Sequence, residues 1–326
     1  MKPPRSYFLF FILCFIFSPA GAQTLMLVEL NCENLFDTRH DEGKQDTEFL
    51  PMSGRYWTPR RYWRKLNNLA QEIISCGDDM ELPELVALCE VENDSCLRDL
   101  TRRSLLRNAG YEYLMTDSPD ERGLDVALLY QPARFAPVCY DVFSVPLVKD
   151  MRPTRDILHV AGRIITGDTL HLFLLHSPSR YGGELESRPF RMQVARVLSH
   201  ALDSLLALSP RSRIIVTGDF NDYDDSPALQ LLGQRLTNVT RNAQGRNGAR
   251  ATYRYQGEWR SLDHVLVSPS LLPHVASTRI HDADFLMEED EKYGGLKPRR
   301  TYSGFRYRPA FSDHLPLVVH FRFGSK

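Results

Sequence analysis

The chain has 326 residues, 43% of them hydrophobic, and a formal charge of −1 at neutral pH. That length and apolar content suffice for a large buried core. The near-neutral balance excludes a molecule-wide field that gathers polyanions, so any contact with phosphate must be local.

At the start, Lys2 and Arg5 precede an apolar run from Tyr7 to Phe17, followed by Ser18-Pro19 and Ala20-Gly21-Ala22. A charged start, an apolar run too short to span a bilayer and a small-x-small triplet are the features of a secretory signal. Cleavage after Ala22 is expected, leaving residues 23–326 as a single secreted or periplasmic domain. Cys14 lacks the small preceding residue that a lipoprotein signal needs. Beyond the cut remain Cys32, Cys76, Cys89, Cys96 and Cys139. Their odd number and lack of metal-type spacing argue against a disulfide scaffold and a zinc site.

Strand and helix signals then alternate. "LMLVEL" (25–30) predicts a buried strand. Thr58-Pro59 predicts a helix start, with Trp63, Leu66, Ala70 and Ile73 recurring at helical spacing. "ELVALC" (84–89) predicts a strand, and Cys96 to Gly110 a helix closed by its glycine. "YEYLMT", "LDVALLY" and "YDVFSVPL" predict further strands. Residues 159–176 predict a hairpin turning at Gly167-Asp168. A long helix over 184–208, a strand at 213–217, a short helix near 227–233 and strands at 262–267 and 315–322 follow. Residues 237–250 and 281–312 are expected to be loops.

Several of these strands carry polar groups at one end: "ELNCENLFDT" (29–38), "VALCEVEND" (86–94), "LFLLHSPSR" (172–180), "IIVTGDFND" (214–222), "SLDHVLVS" (261–268) and "FSDHLPLVV" (311–319). In α/β sheets ligands gather outside one edge, where polar strand ends converge. Asn31, Glu33, Glu90, Asp219 and Asp313 offer hard oxygen ligands suited to magnesium, manganese or calcium. His176 and His314 exchange protons near neutral pH, and Asp263 is a carboxylate able to orient an imidazole. No phosphate-binding Walker loop or serine elbow is present, so water, metal and histidine fit better than a covalent serine.

"NCEN", "CEVEN", "HSPSR", "GDFND", "SLDHVLVS" and "SDHLP", in that order, resemble the endonuclease/exonuclease/phosphatase superfamily, over residues 25–322. The resemblance implies an α/β fold, a four-layer α/β/β/α sandwich with two packed mixed sheets, hydrolysing phosphoester bonds with a divalent metal, Mg2+ or alternatively Mn2+ or Ca2+. It implies that Glu90 is the main metal ligand with Asn31 beside it, and that Glu33 and Asp313 are additional or alternative ligands. His314 becomes the base or phosphate contact, oriented by Asp263. Asp219 and Asn221 would hold the attacking water and the phosphoryl oxygens. His176 would protonate or stabilise the leaving oxygen, and Arg180 would clamp phosphate. Many relatives carry Gln where this chain has Cys89. The expected activity is that of a nuclease, alternatively of a phosphatase or phosphodiesterase on small or lipid-linked phosphates, acting as a monomer.

Other residues have plainer expectations. Arg122 and Asp125 of "RGLDVALLY" are candidates for substrate contact. Asp222, Asp224 and Asp225 are expected in a turn or cap. Glu29, Glu92 and Asp94 are expected to be solvated, and Cys32 and Cys89 to pack in the core. Arginines interleaved with tyrosines in "KPRRTYSGFRYRP" could stack on bases or sugars and hold phosphates.

Overall fold

Both faces of the first strand, β1 (Gln23–Leu35), are apolar: Leu25 and Leu27 face one way, and Met26, Val28, Leu30 and Cys32 the other. A strand covered on both faces belongs in the middle of a layered structure. The computed structural model describes residues 23–78 and 81–324 and places β1 there. The expected signal segment lies outside the described residues.

One six-stranded sheet runs β13 (Val275–Ile280), β18 (Leu317–Phe323), β1, β2 (Leu85–Val91), β4 (Asp125–Tyr130) and β3 (Glu112–Met115). The second runs β5 (Phe135–Phe143), β6 (Ile157–Ile164), β7 (Thr169–His176), β8 (Arg213–Asp219), β12 (Asp263–Val267) and β9 (Thr237–Asn238). Leu27, Leu128, Leu172, Ile215 and Val265, all fully buried, fill the space between the sheets. Each contributes about 1.5–3 kcal/mol by leaving water. α1 (Pro59–Cys76) and α2 (Asp94–Arg102) cover the outer face of the first sheet. α3 (Glu184–Leu208) and α4 (Pro227–Leu232) cover the second. The result is the expected four-layer α/β/β/α sandwich of two packed mixed sheets.

Two pairs, β1–β2 and β7–β8, are parallel and are joined by the crossover helices α1 and α3. β12 and β18 run antiparallel to β8 and β1. The ends of β1, β2, β7 and β8 therefore meet the beginnings of β12 and β18 at one edge. Gly218 permits part of this approach. Its φ is +138°, and a Cβ there would lie 1.9 Å from the Leu175 carbonyl oxygen of β7.

Some expectations change. The helix expected over 96–110 begins at Asp94, where the Asn93 side chain caps the Cys96 amide, and stops at Arg102. Ser104 then turns its hydroxyl back onto the Leu100 carbonyl, and Gly110, at φ +73°, leads into β3 rather than closing a helix. The segment 281–312 is not a plain loop. It folds into two small hairpins, β14 (Met287–Glu289) with β15 (Leu296–Pro298) and β16 (Tyr302–Ser303) with β17 (Arg306–Tyr307). β13 and the hairpin of β10 (Tyr253–Tyr255) with β11 (Glu258–Arg260) have no clear apolar alternation to announce them. Cys32 and Cys89 are core residues as expected, and all the described cysteines are free thiols. Among the described residues, no helix is long and apolar enough to cross a membrane.

Candidate active site

Strand alternation alone would not aim every polar side chain at the shared edge. The register of β2 against β4 slips between Cys89 and Val91, and that of β1 against β2 slips between Asn31 and Leu35. Such bulges redirect a side chain. Glu90, Glu33, Asn34 and Asn221 all sit at positive φ, between +48° and +64°. Left-handed backbone is costly for residues with a Cβ and clusters where function holds it in place.

At the centre, the Asn31 amide nitrogen donates to Asp219 at 3.0 Å and to Glu90 at 3.5 Å, while its oxygen accepts from the Glu33 backbone. The other Glu90 oxygen accepts from the Asn34 backbone at 2.8 Å. His176 Nε2 lies 3.6 Å from Asp219 and 3.9 Å from Glu90. Asn221 donates to Asp219 from both its backbone and its amide, and its amide also ties to the Ser177 carbonyl at 3.0 Å. Asp263, fully buried, accepts from Thr252 at 2.5 Å and meets His314 Nδ1 at 2.8 Å. The pairing of His314 with Asp263 is the one that the family resemblance implies. Its contact with Asp263 leaves His314 Nε2 for another partner.

The two histidines are tuned in opposite directions. Burial, together with Arg155, His314 and Arg122, pushes His176 well below the ordinary imidazole range, which favours the neutral ring. Burial opposes charge on His314 too, but the charge and hydrogen bond of Asp263, followed by Asp219 and Asp313, hold it well above that range. Asp219 is pushed up to about 7, first by burial and then by Asp263. Glu29 corrects an expectation. Rather than being solvated, it is fully buried beneath this group, and neither of its oxygens has a hydrogen-bond partner. Burial, then Asp263 and Asp219, push its carboxyl well above the usual range. Glu92 is also buried, whereas Asp94 is exposed as expected.

The family model described as Endonuclease/Exonuclease/phosphatase family matches residues 26–323. The chain belongs to this family. Its members are hydrolases of phosphoester bonds. Among solved structures, an endonuclease/exonuclease/phosphatase family protein from Bacteroides thetaiotaomicron is similar at 18% identity and TM-score 0.63, covering 94% of this chain and 100% of its own. A mannosyl-6-phosphatase from the same species is similar at 18% identity and TM-score 0.61, with 92% and 100% covered. The human Nocturnin catalytic domain with bound sulfate gives 17% identity and TM-score 0.53, with 93% and 98% covered. No curated protein sequence matches the chain.

The site divides into two electrostatic halves within this family's fold. Among the described residues, Glu90, Asp219 and Asp263 have only histidines as ion-pair partners. Asp219, Asp263 and His314 also bring ligand atoms within 4.8 Å of one another. Clustered carboxylates without a lysine or arginine fit a divalent cation. Glu33 and Asp313, expected as ligands, already have protein cations. Glu33 lies 3.7 Å from buried Lys65 and 3.5 Å from Arg300, and accepts from the Thr301 amide at 2.6 Å. Asp313 accepts from Arg300 at 2.8 Å. Burial and Asp313 raise Glu33 to about 7 against these cations. Asn31 faces Glu90 and Asp219 with its nitrogen, so it would ligate a metal only after its amide rotates.

Around the rim, Arg180 stacks over Tyr223 at 4.1 Å, and its buried Nη1 has no partner. Exposed Arg122 donates to the Asn34 side chain. Asp125, expected to touch substrate, is 2% exposed and accepts from Thr116 and from the backbone and hydroxyl of Ser118. It orders residues 116–118 and has little acceptor capacity left for a ligand. Asp222 is a structural acid: it is buried and paired with Arg191 at 3.1 Å. Arg155 and Lys65 were not foreseen. Arg155, near His176, is 9% exposed, and its Nε lies 3.7 Å from buried Asp120, beyond hydrogen-bond reach. Lys65 could have been noticed, because it sits between Tyr62 and Leu69 on the buried face of α1.

Proposed function

We propose that the protein is an exported phosphodiesterase dependent on a divalent metal, with nucleic acid as its leading substrate class. One observation carries this reading. Among the described residues, a carboxylate group without a lysine or arginine partner sits beside two histidines whose proton affinities are shifted in opposite directions, all at one sheet edge. Hydrolysis requires an in-line water, an acceptor for its proton, positive charge on the phosphoryl oxygens and a donor for the leaving oxygen. Asp219, fixed by Asn221, would receive the proton of the water. His314, kept cationic by Asp263, would donate to a phosphoryl oxygen. Arg180 would clamp a second phosphoryl oxygen, and Arg122 would contact substrate at the rim. Neutral His176 would donate its N–H to the oxygen leaving phosphorus, which is stabilisation rather than full proton delivery. Glu90, with Asn31 beside it, would hold Mg2+ or Mn2+, which when bound supplies charge that polarises the phosphoryl group.

A second reading, a phosphatase of small phosphorylated sugars, draws on one feature. A cavity of about 220 Å³ opens beside Glu33, Arg55 and Arg300, close to the size of one sugar ring. A structural neighbour with the same fold is named a mannosyl-6-phosphatase. Hydrolysis of bis-p-nitrophenyl phosphate with and without Mg2+ or Mn2+, beside oligonucleotides, inositol phosphates, sugar phosphates and phospholipids, tests both readings. Turnover of phosphomonoesters alone would overturn the first. The mature N-terminus, read by mass spectrometry, tests export: an intact Met1 in the final product would refute it.

A further inference from the structure

We infer that a strip of arginines and aromatic rings, running from Arg300 across the neighbouring cavity to the start of α1, holds single-stranded nucleic acid flanking the scissile phosphate. The inference rests on the phosphodiesterase reading above and adds the form of the substrate. Two segments far apart in sequence build the strip. The Tyr302 hydroxyl donates to the Arg55 carbonyl at 3.1 Å, and the Arg61 guanidinium donates to that same carbonyl while lying 4.3 Å over the Tyr307 ring. The Arg55 guanidinium lies 5.0 Å from the Tyr302 ring and 5.8 Å from that of Phe305. The strip is continuous with the site. The cavity is walled by Glu33, Asn34, Arg55 and Arg300, and Arg300 binds the carboxylate next to His314.

Its charge is uncompensated where it is farthest from the site. Arg55 pairs with Glu48, and Arg300 with Glu33 and Asp313. Among the described residues, none of Arg60, Arg61 and Arg64 pairs with a carboxylate, and the first turn of α1 contains no acid. Arg61 lies over the Tyr307 ring, and Arg60 and Arg64, one helical turn apart on α1, are exposed beside it. A helix N-terminus carries partial positive charge and favours acids. Arg61 has a structural role in holding α1 to the hairpin, but Arg60 and Arg64 are exposed and pair with no carboxylate, so fold stability does not account for them, and a bound polyanion does. The rings identify the anion. Phe305 is 74% exposed, and guanidinium groups alternate with rings along the strip. Phosphates and unpaired bases alternate in the same way along a single strand, whereas a duplex hides its base faces.

The test uses the full protein with Mg2+ and a phosphorothioate single strand of about a dozen nucleotides, a length matched to one such groove. Binding is followed by fluorescence anisotropy over a salt series. Affinity should fall with salt by about 0.7 logarithmic units per tenfold salt for each phosphate neutralised. Arg60→Glu with Arg64→Glu should weaken binding by about tenfold or more and flatten that slope by roughly 1.4. The melting temperature should not fall, because both arginines are exposed and an acid at position 60, in the first turn, suits a helix N-terminus. Phe305→Ala, at an exposed hairpin tip, is the second variant, and should weaken binding by about fivefold or more. If wild-type protein hydrolyses bis-p-nitrophenyl phosphate but binds the oligonucleotide no more tightly than a dinucleotide, the strip is wrong and the phosphodiesterase reading stands. Failure to hydrolyse that diester removes the parent reading instead. Binding to phosphatidylserine vesicles that the arginine variant loses, with oligonucleotide binding unchanged, would make the strip a membrane contact and overturn the inference.

Discussion

Replacing Asp263 with Asn keeps the side-chain shape and removes the charge behind His314. The carboxylate is fully buried, so solvent screens its 2.8 Å contact with the imidazole little. A hydrogen bond to a charged group contributes about 1.5–3 kcal/mol, equivalent to roughly 10- to 150-fold in rate if all of it is felt in the transition state. His314→Ala removes the donor itself and should cost about 10²- to 10⁴-fold. With His314 absent, Asp263 has no imidazole to hold, so the double variant should lose little more than His314→Ala alone. The assay is kcat/KM on bis-p-nitrophenyl phosphate at saturating metal, with Mn2+ affinity measured by calorimetry on each variant. Fully additive losses would falsify the dyad. Additive losses with weakened Mn2+ binding by Asp263→Asn would reassign Asp263 to the metal group that its proximity to Asp219 also allows.

Glu90→Gln should abolish metal-dependent turnover without unfolding the protein, since the amide keeps the side-chain shape and loses the charge. Retained activity, or a melting temperature lowered by tens of degrees, would count against Glu90 as the principal ligand. Glu72 provides a pH test away from the reacting groups. It is buried on α1 with both oxygens unpartnered, and burial raises its carboxyl from 4.5 to about 8, with Lys65 opposing and Glu33 adding to the rise. The unfolded chain therefore releases this proton at lower pH than the folded one, so its contribution, complete below pH 4.5, is lost progressively up to about 8. Urea titrations should show Glu72→Gln gaining stability relative to wild type across that window. A constant difference would place the group elsewhere or ionise it.

The residue types and their strand-end positions were legible in the sequence because sheet chemistry is local. An apolar run stopping at Asn31, Glu90, His176 or Asp219 marks where a strand leaves the core. Even the meeting of His314 with Asp263, 51 residues apart, was legible, though only through the family motifs; imidazole chemistry asks for a carboxylate without saying which one. Which acids share the centre was a tertiary decision. Bulges and left-handed backbone at Glu90 and Glu33 override strand alternation, and Lys65 and Arg300 draw Glu33 and Asp313 into ion pairs. Glu29 looked like a solvated acid because burial depends on what covers a residue, and here a second sheet does so. The arginines of α1 and those after residue 299 are each unremarkable surface charge in sequence. They become one strip only because Arg55 and Arg61 lock the start of α1 against the Tyr302–Tyr307 hairpin. Contacts between segments so far apart in the chain arise from packing, which no local pattern encodes.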